Sequence, residues 1–533
     1  MRGRRDAVGV PWRLAAALCG PLAVAAVVAG SGCETWVLLD RSDASAPFSP
    51  PSDFDTGTEG PVLPLPVDDG GCGFCPTTGN SGVCPPGSPL SCYVNQNCPG
   101  GSQTTIAGTV YDPAGRNPLP NVVVYVPNDP STVRLINTGT STCLDCETPI
   151  DDYVTVTVTD AKGHFSLAGV PTGENVPLIL QAGKWRRMIA VPQVKDCATT
   201  NLPSSGSGQA RLPRNHQEGD LPQMAVLTGG CDNVACFLIG AGVDPTEFTA
   251  PGAGGHVAVY QGLGATGSGA ALSNGVAGDC TTSSCPLWSS KQALETYDDV
   301  FLGCECDAHD ETKLAPSLLA MHDWLGEGGR VFATHSQTTW FRNGPSDLQS
   351  IAAWTLGPAS GASGPFAVDT SSAAGQSFAS WLFNVGAADP DGGVSLNPAD
   401  ISTSVTTVAS PTSAWIRDTS SATDGGDGGD AGGQAGNVKL LSAPMPVATG
   451  DASVPLYCGR VVVSDIHPGG GQALQGSSSD GSSAPAPVPA ACAAGSLTPG
   501  EEALEYLLFS SEGTCVLGQS KVPPPLPPPD AGG

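Results

Sequence analysis

The sequence predicts a multidomain chain: an antiparallel β-sandwich followed by a doubly wound α/β sheet, with a disordered N-terminal tether and low-complexity insertions. Three observations carry this prediction. Between residues 104 and 196, short β-branched runs alternate with turn residues. From residue 221 onward, apolar strand-like runs alternate with helical patterns, the order that builds a parallel sheet. Around these lie long stretches of Ser, Pro, Gly and Asp without periodicity. The 533 residues include 70 Gly and 49 Pro, yet 40% are hydrophobic, which leaves enough apolar surface for real cores.

Residues 105–111 alternate, Asp112-Pro113-Ala114-Gly115 is a turn, and 122–126 is a continuous β-rich run. Residues 154–159 read Val-Thr-Val-Thr-Val-Thr, giving one apolar and one hydroxyl face. Asp160-Ala161-Lys162-Gly163 turns the chain into 164–167, and 176–180 completes the set. The succession Ile106-x-Gly108-x-Val110-x-Asp112, Pro118-Leu119-Pro120-Asn121-Val122-Val123-Val124 and Thr159-Asp160-x-x-Gly163-x-Phe165-x-Leu167 resembles the carboxypeptidase regulatory-like domain, a transthyretin-like β-sandwich, over about residues 103–196. That resemblance implies a rigid spacer or binding platform, in some related modules for carbohydrate. The HxxE motif of a zinc peptidase does not occur in it.

Residues 197–220 are rich in Ser, Gly and Pro and read as a linker. Beyond them, 223–228 is a buried strand running into Gly229-Gly230, 234–241 a helix, 256–260 a strand, 289–296 a short helix and 299–303 a third strand. The clearest helix starts near Ala315 with Pro316 in its first turn. Leu314, Leu318, Met321 and Leu325 form its apolar stripe, and Gly328-Gly329 ends it. Strands follow at 330–334 and 459–465, then an amphipathic helix at 499–509 with Thr498 as N-cap. The order strand, glycine turn, Tyr297-Asp298-Asp299-Val300-Phe301-Leu302, then Trp324-Leu325-x-x-Gly328-Gly329-Arg330-Val331-Phe332, and late Gly459-Arg460-Val461-Val462 resembles the class I glutamine-amidotransferase-like, or ThuA-like, fold. It spans roughly 221–515, implies a flavodoxin-like sheet, and leaves insertions near 262–285, 358–455 and 468–497. The acidic glycine run at 424–430 lacks the apolar position of a β-roll repeat and the twelfth-position Glu of an EF-hand, so it reads as a solvated loop rather than a calcium site.

The chain opens with Arg2, Arg4, Arg5 and Arg13, an apolar stretch at 14–29 broken by Gly20 and Pro21, and the small-residue run Ala29-Gly30-Ser31-Gly32-Cys33. This resembles a bacterial lipoprotein signal over 1–32, cut before Cys33, whose thiol then carries lipid. Gly30 departs from the apolar residue usual at that position, and ordinary secretory cleavage or an uncleaved anchor are the alternatives. Residues 33–71 read as a tether, 72–102 as a cysteine-rich segment, and 516–533 as a Pro-rich disordered tail. A net charge of -28 disfavours nucleic acid and anionic lipid surfaces as partners.

Nineteen cysteines fit an oxidising compartment. With Cys19 in the signal and Cys33 lipidated, an odd number remains, so at least one thiol stays unpaired. Close spacings join Cys72 and Cys75, Cys143 and Cys146, Cys231 and Cys236, Cys280 and Cys285, and Cys304 and Cys306. Structural disulfides are the expectation for these rather than zinc, with Cys304 and Cys306 each in a disulfide, not necessarily together.

Chemistry in an open α/β sheet collects beyond the carboxyl ends of the strands. Four predicted strands end there in Cys231 and Asp232, in Cys304 with Glu305 and Cys306, in His335 with Ser336, and in Asp465 with His467. Asp465 and His467 are two apart and would share one face of a continued strand. Cys304 stands where the resemblance puts the amidotransferase nucleophile, with His335 or His467 as base. Gly303 precedes it, but Cys306 occupies the position of the second elbow glycine, and His467-Pro468 continues into Gly469 rather than Glu. A metal site from His309, His335, His467 and nearby carboxylates is the other functional reading; hydrogen-bonded histidines at strand ends are the structural one. Trp340, Phe341 and Trp354 would line a pocket or pack in the core, and Trp185-Arg186-Arg187 would bind an anion or pair with the protein's own carboxylates. No cofactor is expected.

Together these features describe an exported cell-envelope protein, anchored to a membrane through N-terminal lipid, facing the periplasm or the surface, with a structural or ligand-binding role toward an envelope saccharide or protein. The alternative is a cysteine- or metal-dependent hydrolase using Cys304, His335, His467 and Asp465. A free Cys304 thiol within hydrogen-bond reach of an imidazole would favour the hydrolase; a disulfide at Cys304 would end it.

Overall fold

Alternation and turn chemistry shape the first part. In the computed structural model, β1 (Thr105–Thr109), β2 (Val123–Pro127), β3 (Tyr153–Val158), β4 (His164–Ala168), β5 (Gly173–Ala182), β6 (Trp185–Val194) and β7 (Thr199–Asn201) form two sheets, ordered β4-β1-β7 and β3-β2-β5-β6. Ile106, Val124, Phe165, Leu167, Leu178 and Leu180 are buried in the shared core, each worth about 1.5–3 kcal/mol relative to exposure. In the turn joining β3 to β4, Asp160 Oδ1 accepts the backbone N–H groups of Lys162 and His164, both at 2.8 Å. Gly163 has φ +73°, and a Cβ there would lie 2.8 Å from Pro118 Cβ, so glycine is required on both counts.

The structure describes residues 84, 87–139, 152–265, 276–355, 364–420, 436–445, 459–469, 492 and 496–509. The signal segment with Cys33, the tether, Cys72, Cys75, Cys143, Cys146, the 424–430 run and the 516–533 tail lie outside the described residues.

Residues 197–220 do not run as a bare linker. Parallel pairing joins β7 to β1, Cys197 is bonded to Cys98, Arg211 and Arg214 share Glu218, and Asp220 meets Arg186 at 2.8 Å. Pro, Ser and Gly content describes local backbone freedom, whereas the contacts with β1, Cys98 and Arg186 come from distant residues.

The second part is one 13-stranded sheet. It comprises β8 (Met224–Thr228), β9 (Phe248–Thr249), β10 (Val257–Gln261), β11 (Gly278–Asp279), β12 (Asp299–Leu302), β13 (Arg330–Thr334), β14 (Ala353–Trp354), β15 (Phe366–Val368), β16 (Gly393–Val394), β17 (Val405–Thr407), β18 (Ser413–Asp418), β19 (Asn437–Met445) and β20 (Gly459–Ser464). Its parallel stretch runs β11-β10-β8-β12-β13-β20 and continues antiparallel through β19-β18-β15-β16. The expected insertion at 358–455 therefore supplies strands to the same sheet. Apart from β18 and β19 these strands are two or three residues long, too short to show a periodicity.

Seven α-helices accompany this sheet: α1 (Val234–Gly240), α2 (Lys291–Leu294), α3 (Ala315–Gly326), α4 (Thr339–Arg342), α5 (Ser346–Gln349), α6 (Ala373–Val385) and α7 (Pro499–Phe509), counted among the described residues. In α3, Leu318, Met321, Trp324 and Leu325 are buried, while Leu314 is the exposed N-cap residue rather than part of the stripe. Thr498 caps α7 reciprocally: Glu501 N donates to Thr498 Oγ1 at 3.3 Å, and Thr498 N donates to Glu501 Oε2 at 2.8 Å. No helix among the described residues is long and apolar enough to cross a membrane.

The two parts share a continuous apolar core. The Trp185 ring meets Phe509 edge-on at 5.3 Å, Lys184 Nζ pairs with Asp298 at 2.7 Å, and Trp381 Nε1 donates to Pro118 O at 2.6 Å.

Candidate functional site

Parallel pairing in the order β8-β12-β13-β20 sets four strand ends side by side. Just beyond them the structure brings together Asp232, Cys304, His335 and His467. Asp232 is the anchor. Its Oδ1 accepts the Cys304 backbone N–H at 2.9 Å, and its Oδ2 accepts the Thr334 hydroxyl at 2.5 Å, tying the ends of β8, β12 and β13. Gly229 makes this approach possible, since a Cβ there would lie 2.0 Å from Cys304 O.

Cys304 is a free thiol with no exposed surface, which corrects the expectation that it forms a disulfide. Its Sγ lies 3.5 Å from His335 Nδ1 and donates to Ser336 Oγ at 3.4 Å. The neighbouring disulfide joins Cys306 to Cys231, and Cys236 pairs with Cys492, so the close spacing of Cys231 and Cys236 did not indicate a pair. Proximity in sequence is a poor guide here because the sheet returns distant strand ends to one place. Cys280 does bond Cys285, and Cys84 bonds Cys92.

His335 opens the turn after β13 with φ +33°, a costly backbone conformation for a side-chain-bearing residue. His467 follows β20. Its Nε2 lies 3.2 Å from Ser402 Oγ, its Nδ1 lies 3.8 Å from Asp232 Oδ2 with no hydrogen-bond partner among the described residues, and its ring stands edge-on to His335 at 5.2 Å. Asp465 does not join His467 as a shared-face pair. Its carboxylate accepts the Ser404 N–H at 2.7 Å and the Ser404 hydroxyl, and this anchors the 402–404 segment. His309 instead contacts Glu311 at 3.0 Å and is not part of the cluster.

Burial governs the protonation of these groups. It pushes Asp232 up to about 7, against the hydrogen bonds from Thr334 and Cys304 N–H. The Cys304 thiol is pushed up to about 12, first by burial and then by Asp232. His467 falls to about 4 through burial and the nearby His335, and burial also lowers His335. Without a cation at the cluster, the thiol and both imidazoles are neutral near pH 7. An activated thiolate–imidazolium pair needs the opposite shifts.

The adjacent Glu305 is buried and fully committed. Lys313 Nζ contacts its Oε2 at 2.6 Å, Gln337 Nε2 donates to the same oxygen at 3.0 Å, and Leu263 N donates to Oε1 at 2.8 Å. Trp340 is buried against Trp288 at 5.0 Å, and Phe341 stacks on Trp354 at 6.1 Å, so these aromatics pack in the core. Arg186 pairs with Asp220, the self-pairing expected of the Trp185-Arg186-Arg187 run. The roles of Thr334 and Ser402 went unread. Thr334 had the signal of a polar residue ending a buried strand; Ser402, in a loop distant in sequence, had none.

Comparison with known proteins finds no matching family and no matching curated protein. Among solved structures, a C-terminal interface mutant of a type II cohesin–X-dockerin complex from Acetivibrio cellulolyticus is similar at 16% identity over 28% of this chain and 75% of that chain, with a TM-score of 0.13. A variant of the major pilin subunit of Bacillus cereus is similar at 13% identity over 19% of this chain and 29% of that chain, with a TM-score of 0.11. Scores this low define neither a fold nor a function for the chain.

Proposed function

We propose that this protein is an exported, lipid-anchored component of a cell envelope with a structural or ligand-binding role. In this reading, a carboxypeptidase regulatory-like sandwich and a degenerate amidotransferase-like, flavodoxin-like sheet form one rigid body. The observation that carries it is the set of five disulfides among the described residues, Cys84–Cys92, Cys98–Cys197, Cys231–Cys306, Cys236–Cys492 and Cys280–Cys285. Bonds of this number persist in oxidising compartments and not in a reducing cytosol. The membrane contact rests on lipid at Cys33, and the ligand is an envelope saccharide or protein. Mass spectrometry of the non-reduced mature protein tests this. An acylated N-terminal Cys33 with these five bonds is expected, and an intact, unmodified N-terminal segment would defeat the anchoring.

A second reading, a cysteine- or metal-dependent hydrolase, is favoured by the 3.5 Å approach of Cys304 Sγ to His335 Nδ1 with the thiol free. Against a thiol nucleophile stand the complete burial of Cys304 and its raised pKa. Amide and ester hydrolysis lost in Cys304→Ser but present in the parent would establish the hydrolase; equal rates would eliminate Cys304 as its nucleophile.

A further inference from the structure

We propose that Cys304, His335 and His467, with Asp232 beside them, hold one zinc-class divalent metal ion. This goes beyond the envelope reading and does not depend on it. The potential ligand atoms of the two histidines and the cysteine all lie within 4.8 Å of one another. Zinc–sulfur and zinc–nitrogen bonds of about 2.3 and 2.0 Å meeting at a tetrahedral angle place the two ligand atoms about 3.5 Å apart. Cys304 Sγ and His335 Nδ1 are 3.5 Å apart.

His467 supplies an independent observation. Its Nδ1 is buried and has no hydrogen-bond partner among the described residues, while its Nε2 lies 3.2 Å from Ser402 Oγ. If Nε2 carries the proton and donates to Ser402, the Nδ1 lone pair is left for a metal, the outer-shell arrangement that orients ligating histidines. Asp232 Oδ2 lies 3.8 Å from that nitrogen but is outside the group of mutually close ligand atoms and already accepts the Thr334 hydroxyl, so it stands beside the three ligands rather than among them. One thiolate and two neutral imidazoles, with the buried Asp232 carboxylate beside them, balance a divalent charge.

A second cluster, His216, Glu247 and His256, provides the control. Its His216 is exposed while Glu247 is buried, and His216 Nδ1 is already engaged with Glu247 at 2.7 Å. The test uses the mature full-length chain, purified without reductant. It is stripped with chelator, then titrated with Zn2+ and, for spectroscopy, Co2+. One metal per chain is expected, with Co2+ giving a thiolate charge-transfer band that disappears in Cys304→Ser. Affinity should fall at least about tenfold in His335→Gln and His467→Gln, and stay unchanged in His216→Gln. Circular dichroism of each variant checks folding, and Cys304→Ala is the second variant should Cys304→Ser not fold. Absence of a thiolate–Co2+ band in the folded parent, or Zn2+ affinity unaltered by all the Cys304, His335 and His467 substitutions, overturns the proposal. Metal content and hydrolysis are separate readouts, so the fate of the hydrolase reading remains distinguishable.

Discussion

Replacing Lys313 by Met should destabilise the protein sharply, because it strands a carboxylate next to the candidate site. Lys313 and Glu305 have side chains 1% and 0% exposed, and their charged atoms meet at 2.6 Å. After the substitution Glu305 keeps two neutral donors, Leu263 N–H and the Gln337 amide, but loses its only charged partner among the described residues. Breaking a buried pair by removing one member costs about 3–5 kcal/mol, most of it from the uncompensated buried charge. Lys313 also lies 5.9 Å from the centre of the Trp288 ring, a contact that the Met side chain replaces with apolar packing. The assay is urea unfolding with disulfides intact, read by tryptophan fluorescence. The expected single-variant loss is about 3–5 kcal/mol, and the double variant Glu305→Gln/Lys313→Met should recover at least about half of it, since neutralising Glu305 removes the stranded charge. A loss below about 1 kcal/mol in the single variant, or a double variant no more stable than the single one, would refute the reasoning.

Asp112 and Glu505 face one another across the junction of the two parts, and burial raises both carboxyls. A raised acid contributes stability that is full below its unfolded value and is lost as pH rises through the folded one. Glu505→Gln should therefore gain melting temperature relative to the parent as pH rises from 5 to 8; a constant difference would contradict the shared-carboxyl account. Trp185→Ala should cost about 3–5 kcal/mol in the same urea assay, because the ring is buried against Phe509; a change under about 1 kcal/mol would mean that this junction collapses to fill the space. Gly229→Ala should force the Cys304 loop outward, and the native protein should then react faster with a thiol reagent than the parent, whose thiol is buried. Equal reaction rates would show that the loop can yield without exposing Cys304.

Much of the candidate site was legible before any tertiary contact was known. Cys304, His335 and His467 each follow a short apolar run that reads as a strand, and a parallel order sets such ends side by side. Legibility failed for residues whose role depends on distant partners. Asp465 and His467 are two apart and suggest a pair, yet the Asp465 carboxylate is held by Ser404 and its charge acts on His335. The cysteines failed for the same reason: Cys236 finds Cys492, 256 residues away, rather than nearby Cys231.

The sequence by itself determined the local elements whose causes are local: the Asp160–Gly163 turn, the Thr498 cap with Glu501, the Pro316 helix start and the short alternating strands. Backbone conformation and side-chain periodicity act over a few residues, so composition and spacing suffice to read them. Only the tertiary structure decided that 358–455 contributes strands to the main sheet, that 197–220 is pinned to the sandwich, and that Cys304 remains a free thiol between Asp232 and His335. Those outcomes depend on which distant segments share a core and which sulfurs meet in space. Long-range packing sets both, and local sequence spacing encodes neither.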